Sequence, residues 1–299
     1  MSCHMAGAES LITELEKTLE GKARIQRVPC VGRCQHAPVA VVGKNPVDEA
    51  SPEEVSSRIQ IGAVHPVLPE YVNYHSYREQ GGYSTYQECV SGDRNSEQVI
   101  RILQDSNLRG LGGAGFQAGK KWSIVRSFPA PRLLAVNIDE GEPGTFKDRF
   151  FLESDPHRFL EGSLISAWAV ELDEIYLYLR DEYSASREIL IRELNSLKKN
   201  PPAQLPKIHL RRGAGAYVCG EESAMIESIE GKRGMPRLRP PYIAEVGLFG
   251  RPTLEHNLET LHWVRDILEK GADWFCSGGR HGRSGLRSFS VSGRVKKPG

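Results

Sequence analysis

The stretch GLGGAGFQAGKKW, residues 110–122, places five glycines in thirteen positions and closes on two lysines and a tryptophan. Gly110, Gly112 and Gly115 satisfy the dinucleotide fingerprint G-x-G-x-x-G. In a Rossmann unit that fingerprint follows a strand and opens the first helix, which brings a pyrophosphate to the helix N-terminus. Here the preceding segment, SEQVIRILQDSNL, carries Val99, Ile102, Leu103 and Leu108 at helical spacing. The context therefore departs from Rossmann-type NAD binding. Two other readings stay open: a structural glycine turn, or a loop whose backbone N–H groups approach a phosphate, with Lys120 or Lys121 adding charge.

Working outward, the chain alternates. KKWSIVRSF reads as a helix, RLLAVNID as a buried strand, and SDPHRFLEGSLISAWAVEL as a helix opened by Ser154 with Pro156 in its first turn. EIYLYLR, SASREILIRELNSLKK and KIHLRRG continue as strand, helix, strand, and GEESAMIESIEG and TLEHNLETLHWVRDILEKG as further helices. Strand–helix alternation predicts an α/β domain with a mostly parallel sheet over residues 95–285. Upstream, residues 7–20 space Leu11, Ile12, Leu15 and Leu19 as a helix, and RIQRVPC and PVAVVG read as short strands flanking CVGRCQHA. That unit is expected to close at residue 46. Residues 47–94, rich in Pro, Gly, Ser and Tyr, read as a linker or wrapping segment, and residues 286–299 as the start of a small β-rich domain.

Composition narrows the class. The 299 residues carry a formal net charge of +1, with 39% hydrophobic and 26% charged residues. Nothing in that balance points to nucleic acid, no apolar run approaches a membrane span, and the N-terminus lacks a secretory pattern. Six cysteines in such a chain do not make a disulfide scaffold. A cytoplasmic location is expected, and both ends read as cut from a longer polypeptide.

Three further stretches carry chemistry. VNIDEGEPGTFKDR, residues 136–149, follows an apolar strand, where ligands of open α/β sheets bind, and gathers Asn137, Asp139, Glu140 and Glu142. RRGAGAYVCGEESA, residues 211–224, repeats the design, with Gly220, Glu221 and Glu222 opening a helix. RPPYIAEVGLFGRPTLEHNLET, residues 239–260, supplies Tyr242, Asn257 and Thr260.

Together these four stretches resemble the flavin-bearing, NADH-binding subunit family of respiratory complex I, NAD-linked hydrogenases and NAD-dependent formate dehydrogenases, over about residues 95–299. The resemblance implies a Rossmann-like α/β domain that binds FMN with NAD(H) stacked on the flavin. It implies Gly110, Gly112, Gly113 and Lys121 at the FMN, and Asn137, Asp139, Glu140 and Gly141 at the flavin ring and ribityl chain. Gly220 and Glu221 fall on the flavin side, and Asn257 and Thr260 near the phosphate and ribityl chain. Phe116, Glu142, Glu222 and Tyr242 would face the dinucleotide, with Tyr217 lining the same cavity. Glu142 and Glu222 would orient the nicotinamide carboxamide or ribose. Leu111, Gln117, Ala118 and His256 depart from the family pattern, and His256 is expected to weaken one phosphate contact.

Cys30 and Cys34 flank a tight turn at a spacing that suits two ligands of one iron–sulfur cluster or two free thiols. CVGRCQHAPVAVVG and SCHMAGAESLITELE resemble thioredoxin-like [2Fe–2S] ferredoxins, which implies Cys3, Cys30 and Cys34 as three of four ligands. Cys89, Cys219 and Cys276 read as structural. The fusion of both units in one chain favours a formate dehydrogenase or hydrogenase over respiratory complex I, and general similarity alone puts the diaphorase subunit of a soluble formate dehydrogenase first, with a molybdenum- or tungsten-containing catalytic subunit as partner. A [4Fe–4S] segment is expected beyond residue 299. The alternatives are the corresponding hydrogenase or complex I subunit, a stand-alone flavin reductase, and an electron-relay or assembly module that binds no flavin.

Overall fold

The computed structural model describes residues 1–299. Two helices, α1 (Ser2–Met5) and α2 (Ala8–Thr18), open the chain, and α2 turns Leu11 and Leu15 inward. They meet Val42 and Val47 of an antiparallel hairpin, β1 (Ala40–Val42) and β2 (Asn45–Val47), and Val55 of α3 (Pro52–Gln60). Ser51 caps α3 by accepting from the Glu54 N–H, with Pro52 at its first position. This small core extends past residue 46, because Val47, Ala50 and Val55 are part of it. RIQRVPC, expected as a strand, is irregular. Its Ile25 packs on the small core, but the run finds no ladder partner, and alternation without a partner does not make a strand.

The segment expected as linker is structured. It carries α3, α4 (Tyr74–Glu79) and α5 (Ser84–Ser91), and it buries Tyr74, Tyr77, Tyr83 and Tyr86 in the main core. Then follow α6 (Ser96–Asp105), α7 (Ala118–Ser127), β3 (Arg132–Ile138), α8 (Lys147–Ser154) and α9 (Pro156–Val170). Glu161 of α9 is fully buried and accepts from the Tyr77 hydroxyl at 2.6 Å and from the backbone N–H groups of Tyr83 and Tyr86 at 2.9 and 3.2 Å. His157 bonds the Tyr83 hydroxyl at 2.8 Å and Glu193 at 2.9 Å. Polar groups at this depth require such partners. They fasten the tyrosine segment to α9. The cap of α9 is Asp155, which accepts from the His157 N–H; Ser154, expected there, ends α8 and bonds back to the Phe150 carbonyl.

The chain continues through β4 (Leu172–Leu179), α10 (Ser184–Lys199), β5 (Lys207–Arg212), α11 (Glu222–Ile229), β6 (Thr253–Asn257), α12 (Leu258–Lys270) and α13 (Ala272–Ser277). All four long strands are parallel, in the order β5-β4-β3-β6. The central β3 is buried on both faces, as expected of a sheet sandwiched by helices. Leu134, Val136 and Ile138 face the core of α9 and α12, while Leu133 and Ala135 face Met225 and Ile226 of α11. TLEHN, expected as helix, is the strand β6. Residues 286–299 hold no strand; Val291 and Gly299 exchange two backbone hydrogen bonds at 2.7 and 2.8 Å.

Helices α9 and α12 approach closely at Gly162, where a Cβ would lie 2.0 Å from the Leu261 carbonyl oxygen. Gly162→Ala should therefore force the two helices apart and lower stability by about 1–3 kcal/mol, read from the midpoint of urea unfolding. An unchanged midpoint would refute this packing.

Candidate functional site

Four segments converge at the carboxyl edge of the sheet, and Asn257, the last residue of β6, joins three of them. Its amide nitrogen donates to the Asn137 carbonyl at 3.2 Å and to Asp148 at 2.7 Å. Its amide oxygen accepts from Lys147 at 2.9 Å and from the Glu259 N–H, which caps α12. The glycine loop closes on itself through Gly110 N–H to the Phe116 carbonyl at 2.8 Å. It reaches α12 through Leu111 N–H to Thr260 Oγ1 at 2.9 Å, and a Cβ at Gly112 would stand 3.0 Å from that of Asn257. Gly113 and Gly115 hold φ of +126° and +67°, which side chains resist. The turn Tyr217–Gly220 enters from the other side. Asn137 donates to the Gly220 carbonyl at 2.9 Å, and Cβ atoms at Gly220 and Gly141 would each lie 3.2 Å from a neighbour, Asp139 O and the Tyr217 ring.

Asp139 stands among these contacts with its Oδ2 buried and without a hydrogen-bond partner. Burial pushes its carboxyl up to about 6, against the opposing pull of Arg180. An orphaned acceptor of this kind fits a ligand that donates a hydrogen bond, such as a ring N–H or a sugar hydroxyl. Phe116, Tyr217 and Tyr242 remain 45%, 65% and 60% exposed, leaving ring faces uncovered for stacking. Glu142 is exposed and accepts from the Tyr217 hydroxyl. Burial raises the pKa of Glu222, opposed by Lys121 and reinforced by Glu255, and Arg239 pairs with it at 2.8 Å.

Several expected side chains are committed elsewhere. The Glu140 carboxylate lies under α8, accepting from the N–H groups of Asp148 and Arg149 and from the Tyr183 hydroxyl at 2.7 Å. Only its backbone belongs to the platform. Glu221 caps α11 through the N–H groups of Ser223 and Ala224 and pairs with Arg239. The Lys121 ammonium is held by the Glu255 carboxylate at 2.9 Å and carbonyl at 2.7 Å. His256 is buried, and its Nε2 accepts from Trp122 at 2.9 Å. Sequence reasoning missed Lys147, which bonds Asp148 at 2.7 Å and Asn257, with Glu259 at 3.2 Å. Burial would lower its pKa, but Asp148 and Glu259 outweigh it and hold the ammonium above its ordinary value. The F-K-D-R run directly after the platform was the available signal.

The cysteine turn lies against the same platform. Cys30 and Cys34 sulfurs are 3.3 Å apart, the Gly32 N–H donates to Cys30 at 3.4 Å, and the Gly144 N–H faces both sulfurs. Either sulfur can donate in the hydrogen bond between them. Two sulfurs so placed suit one metal atom. Cys3 on α1 is half-buried, and no three His, Cys, Asp or Glu side chains close into a metal-binding group. Cys89 and Cys219 are packed in the core, and Cys276 bonds the Ser106 carbonyl.

Residues 103–266, more than half of the chain, match the family described as the Nuo51 FMN-binding domain. The chain belongs to that family. Residues 1–61 match the thioredoxin-like [2Fe–2S] ferredoxin family. Among relatives of the Nuo51 domain, an NADH-quinone oxidoreductase subunit of Rhizobium meliloti (strain 1021) is 41% identical over 233 residues, 75% of this chain and 55% of the relative. Its counterpart in the NADH-quinone oxidoreductase of Aquifex aeolicus (strain VF5) is 43% identical over 241 residues, 77% of this chain and 56% of the relative. A chain of the NAD+-reducing [NiFe]-hydrogenase in its air-oxidized state superposes with a TM-score of 0.83 at 32% identity, covering all of this chain and 56% of its own. The chain thus spans about half the length of the relatives it matches. No helix is long and apolar enough to cross a membrane.

Because the folded chain holds the Asp139 proton more tightly than the unfolded chain, whose aspartates titrate near pH ~3.9, stability falls as pH rises from there to about 6 and stays low above it. In flavin-free protein, Asp139→Asn should raise stability at neutral pH by about 3 kcal/mol, and the gain should vanish in acid. Chemical unfolding across pH checks this, and a pH-independent difference would count against a buried, unpartnered carboxylate.

Proposed function

We propose that this chain is the NAD(H):FMN diaphorase portion of a soluble NAD-dependent formate dehydrogenase. The diaphorase reading is supported by four separated backbone turns that meet at the carboxyl edge of the sheet, with Asp139 unpartnered beside the Tyr217–Gly220 turn, in a chain of an FMN-binding family. Bound FMN supplies the exchange between a two-electron hydride and single electrons. Gly110, Gly112, Gly113, Asn137, Asp139, Gly141, Gly220 and Thr260 hold the flavin, the glycines by letting backbone approach it and Asp139 by accepting its hydrogen bond. Asn257 acts through the platform, since its own amide is fully engaged. Phe116, Tyr217 and Tyr242 stack on the dinucleotide, and the NAD(H) carboxamide or ribose is oriented by Glu142 and Glu222. Such positioning sets the near-attack geometry on which hydride transfer depends and excludes water. Cys3, Cys30, Cys34 and a ligand outside these residues would hold a [2Fe–2S] cluster, and a segment beyond residue 299 a [4Fe–4S] cluster, and such clusters would supply one-electron acceptors.

The electron donor is proposed to be a molybdenum- or tungsten-containing subunit acting on formate in the cytoplasm. A hydrogenase partner is the second reading, favoured by the hydrogenase chain that aligns with all of this chain, where the NADH-quinone oxidoreductase subunits of Rhizobium meliloti and Aquifex aeolicus align with 75% and 77%. Purifying the full-length protein from its source and identifying the metal that accompanies it decides between them: molybdenum or tungsten supports formate, nickel supports hydrogen, and isolation as a lone flavoprotein overturns both.

Glu142→Gln removes one charge beside the dinucleotide and leaves the flavin contacts intact. The variant should keep its FMN and change kcat/KM for NADH roughly tenfold, the scale of one charged hydrogen bond. Unchanged kinetics would remove Glu142 from the site.

A further inference from the structure

Two buried arginines of the FMN-binding domain reach the backbone of the cysteine turn. Arg149 of α8 donates from Nε to the Gly32 carbonyl at 2.7 Å. Arg180, immediately after β4, donates from Nη2 to the carbonyl of Cys30 itself. The same two residues hold Glu140 of the flavin platform. Arg180 Nη1 donates to its carbonyl at 2.6 Å, and the Arg149 backbone N–H to its carboxylate at 3.3 Å. Tyr183 completes the bracket. Its hydroxyl donates to Glu140, its ring lies 5.4 Å from the Arg180 guanidinium, and it packs so tightly on Gly32 that a Cβ there would stand 2.5 Å from the hydroxyl oxygen. Glu182 is the carboxylate partner of Arg180, at 3.1 Å from Nε.

We infer that Arg180 is a positioning residue that clamps the cysteine turn to the flavin platform and raises the reduction potential of a cluster ligated by Cys30 and Cys34. The inference rests on the cluster reading of the proposed function. Reduction adds negative charge to an iron–sulfur cluster, so a fixed cation and a hydrogen bond at a ligand residue favour the reduced form. Removing the guanidinium takes away that cation and leaves Glu182 unpaired, and both changes push the potential down.

The test is a potentiometric titration of the [2Fe–2S] electron paramagnetic resonance signal in the full-length holoprotein, with FMN content measured alongside. Arg180→Gln should lower the midpoint, and Arg180→Lys, which keeps the charge, should recover most of the difference. Glu182→Gln should move the midpoint upward, and it keeps the test decisive should Arg180→Gln fail to fold. A midpoint unmoved in Arg180→Gln, an equal drop in the lysine variant, or no rise in Glu182→Gln would overturn the inference. Wild-type protein that binds FMN but shows no [2Fe–2S] signal would overturn it while leaving the diaphorase reading intact. A cluster signal with the predicted shifts in protein unable to bind FMN would do the reverse.

Discussion

The carboxyl edge of the sheet depends on one amide. Asn257 uses both donors and accepts two hydrogen bonds, tying the ends of β3 and β6 to the starts of α8 and α12. Parallel strands splay where their ladders end, and the loops beyond them are ordinarily the mobile part of an α/β fold. Here the side chain of the last β6 residue adds a hydrogen bond to the Asn137 carbonyl near the end of β3, so the start of the platform is tied to the sheet. The half-buried Lys147 lies between the buried Asp148 and Glu259, whose remaining oxygens accept from the Asn257 amide and the Ser288 N–H. A half-satisfied network at this depth would cost more than an apolar one; this one is closed.

Around that junction the acidic residues divide by what captures them. Glu140 and Glu221 lie at helix starts, where unpaired backbone N–H groups favour a carboxylate, and both are consumed there. Asp139 and Glu142 cap no helix: the first keeps a buried Oδ2 without a donor, and the second is exposed and accepts from the Tyr217 hydroxyl.

Much of the fold was legible because β3, β4, α9 and α10 are long and periodic, whereas the convergence of the four stretches was expected only from the family resemblance. TLEHN misled because Leu254, Leu258 and Leu261 continue a helical spacing across the junction; only pairing with β3 makes the first five residues a strand. Cap identity was similarly hidden, since Ser154 and Asp155 are both good caps and geometry chose the aspartate. The tyrosine segment has no periodicity to detect. Its burial depends on a glutamate some eighty residues downstream, which no local pattern reveals. For the site, glycine positions were readable as close approaches, whereas the direction each carboxylate takes was not, because it is set by backbone donors that exist only once α8 and α11 are formed.

That distant glutamate bears on how the molecule can be divided. Although the FMN-binding match begins at residue 103, a polypeptide started there would strip Glu161 of the Tyr77, Tyr83 and Tyr86 donors and uncover a greasy flank of α9. The autonomous flavoprotein unit must reach back to about Tyr71, whose hydroxyl bonds Glu193, so homology limits and the smallest self-sufficient folding unit lie some thirty residues apart.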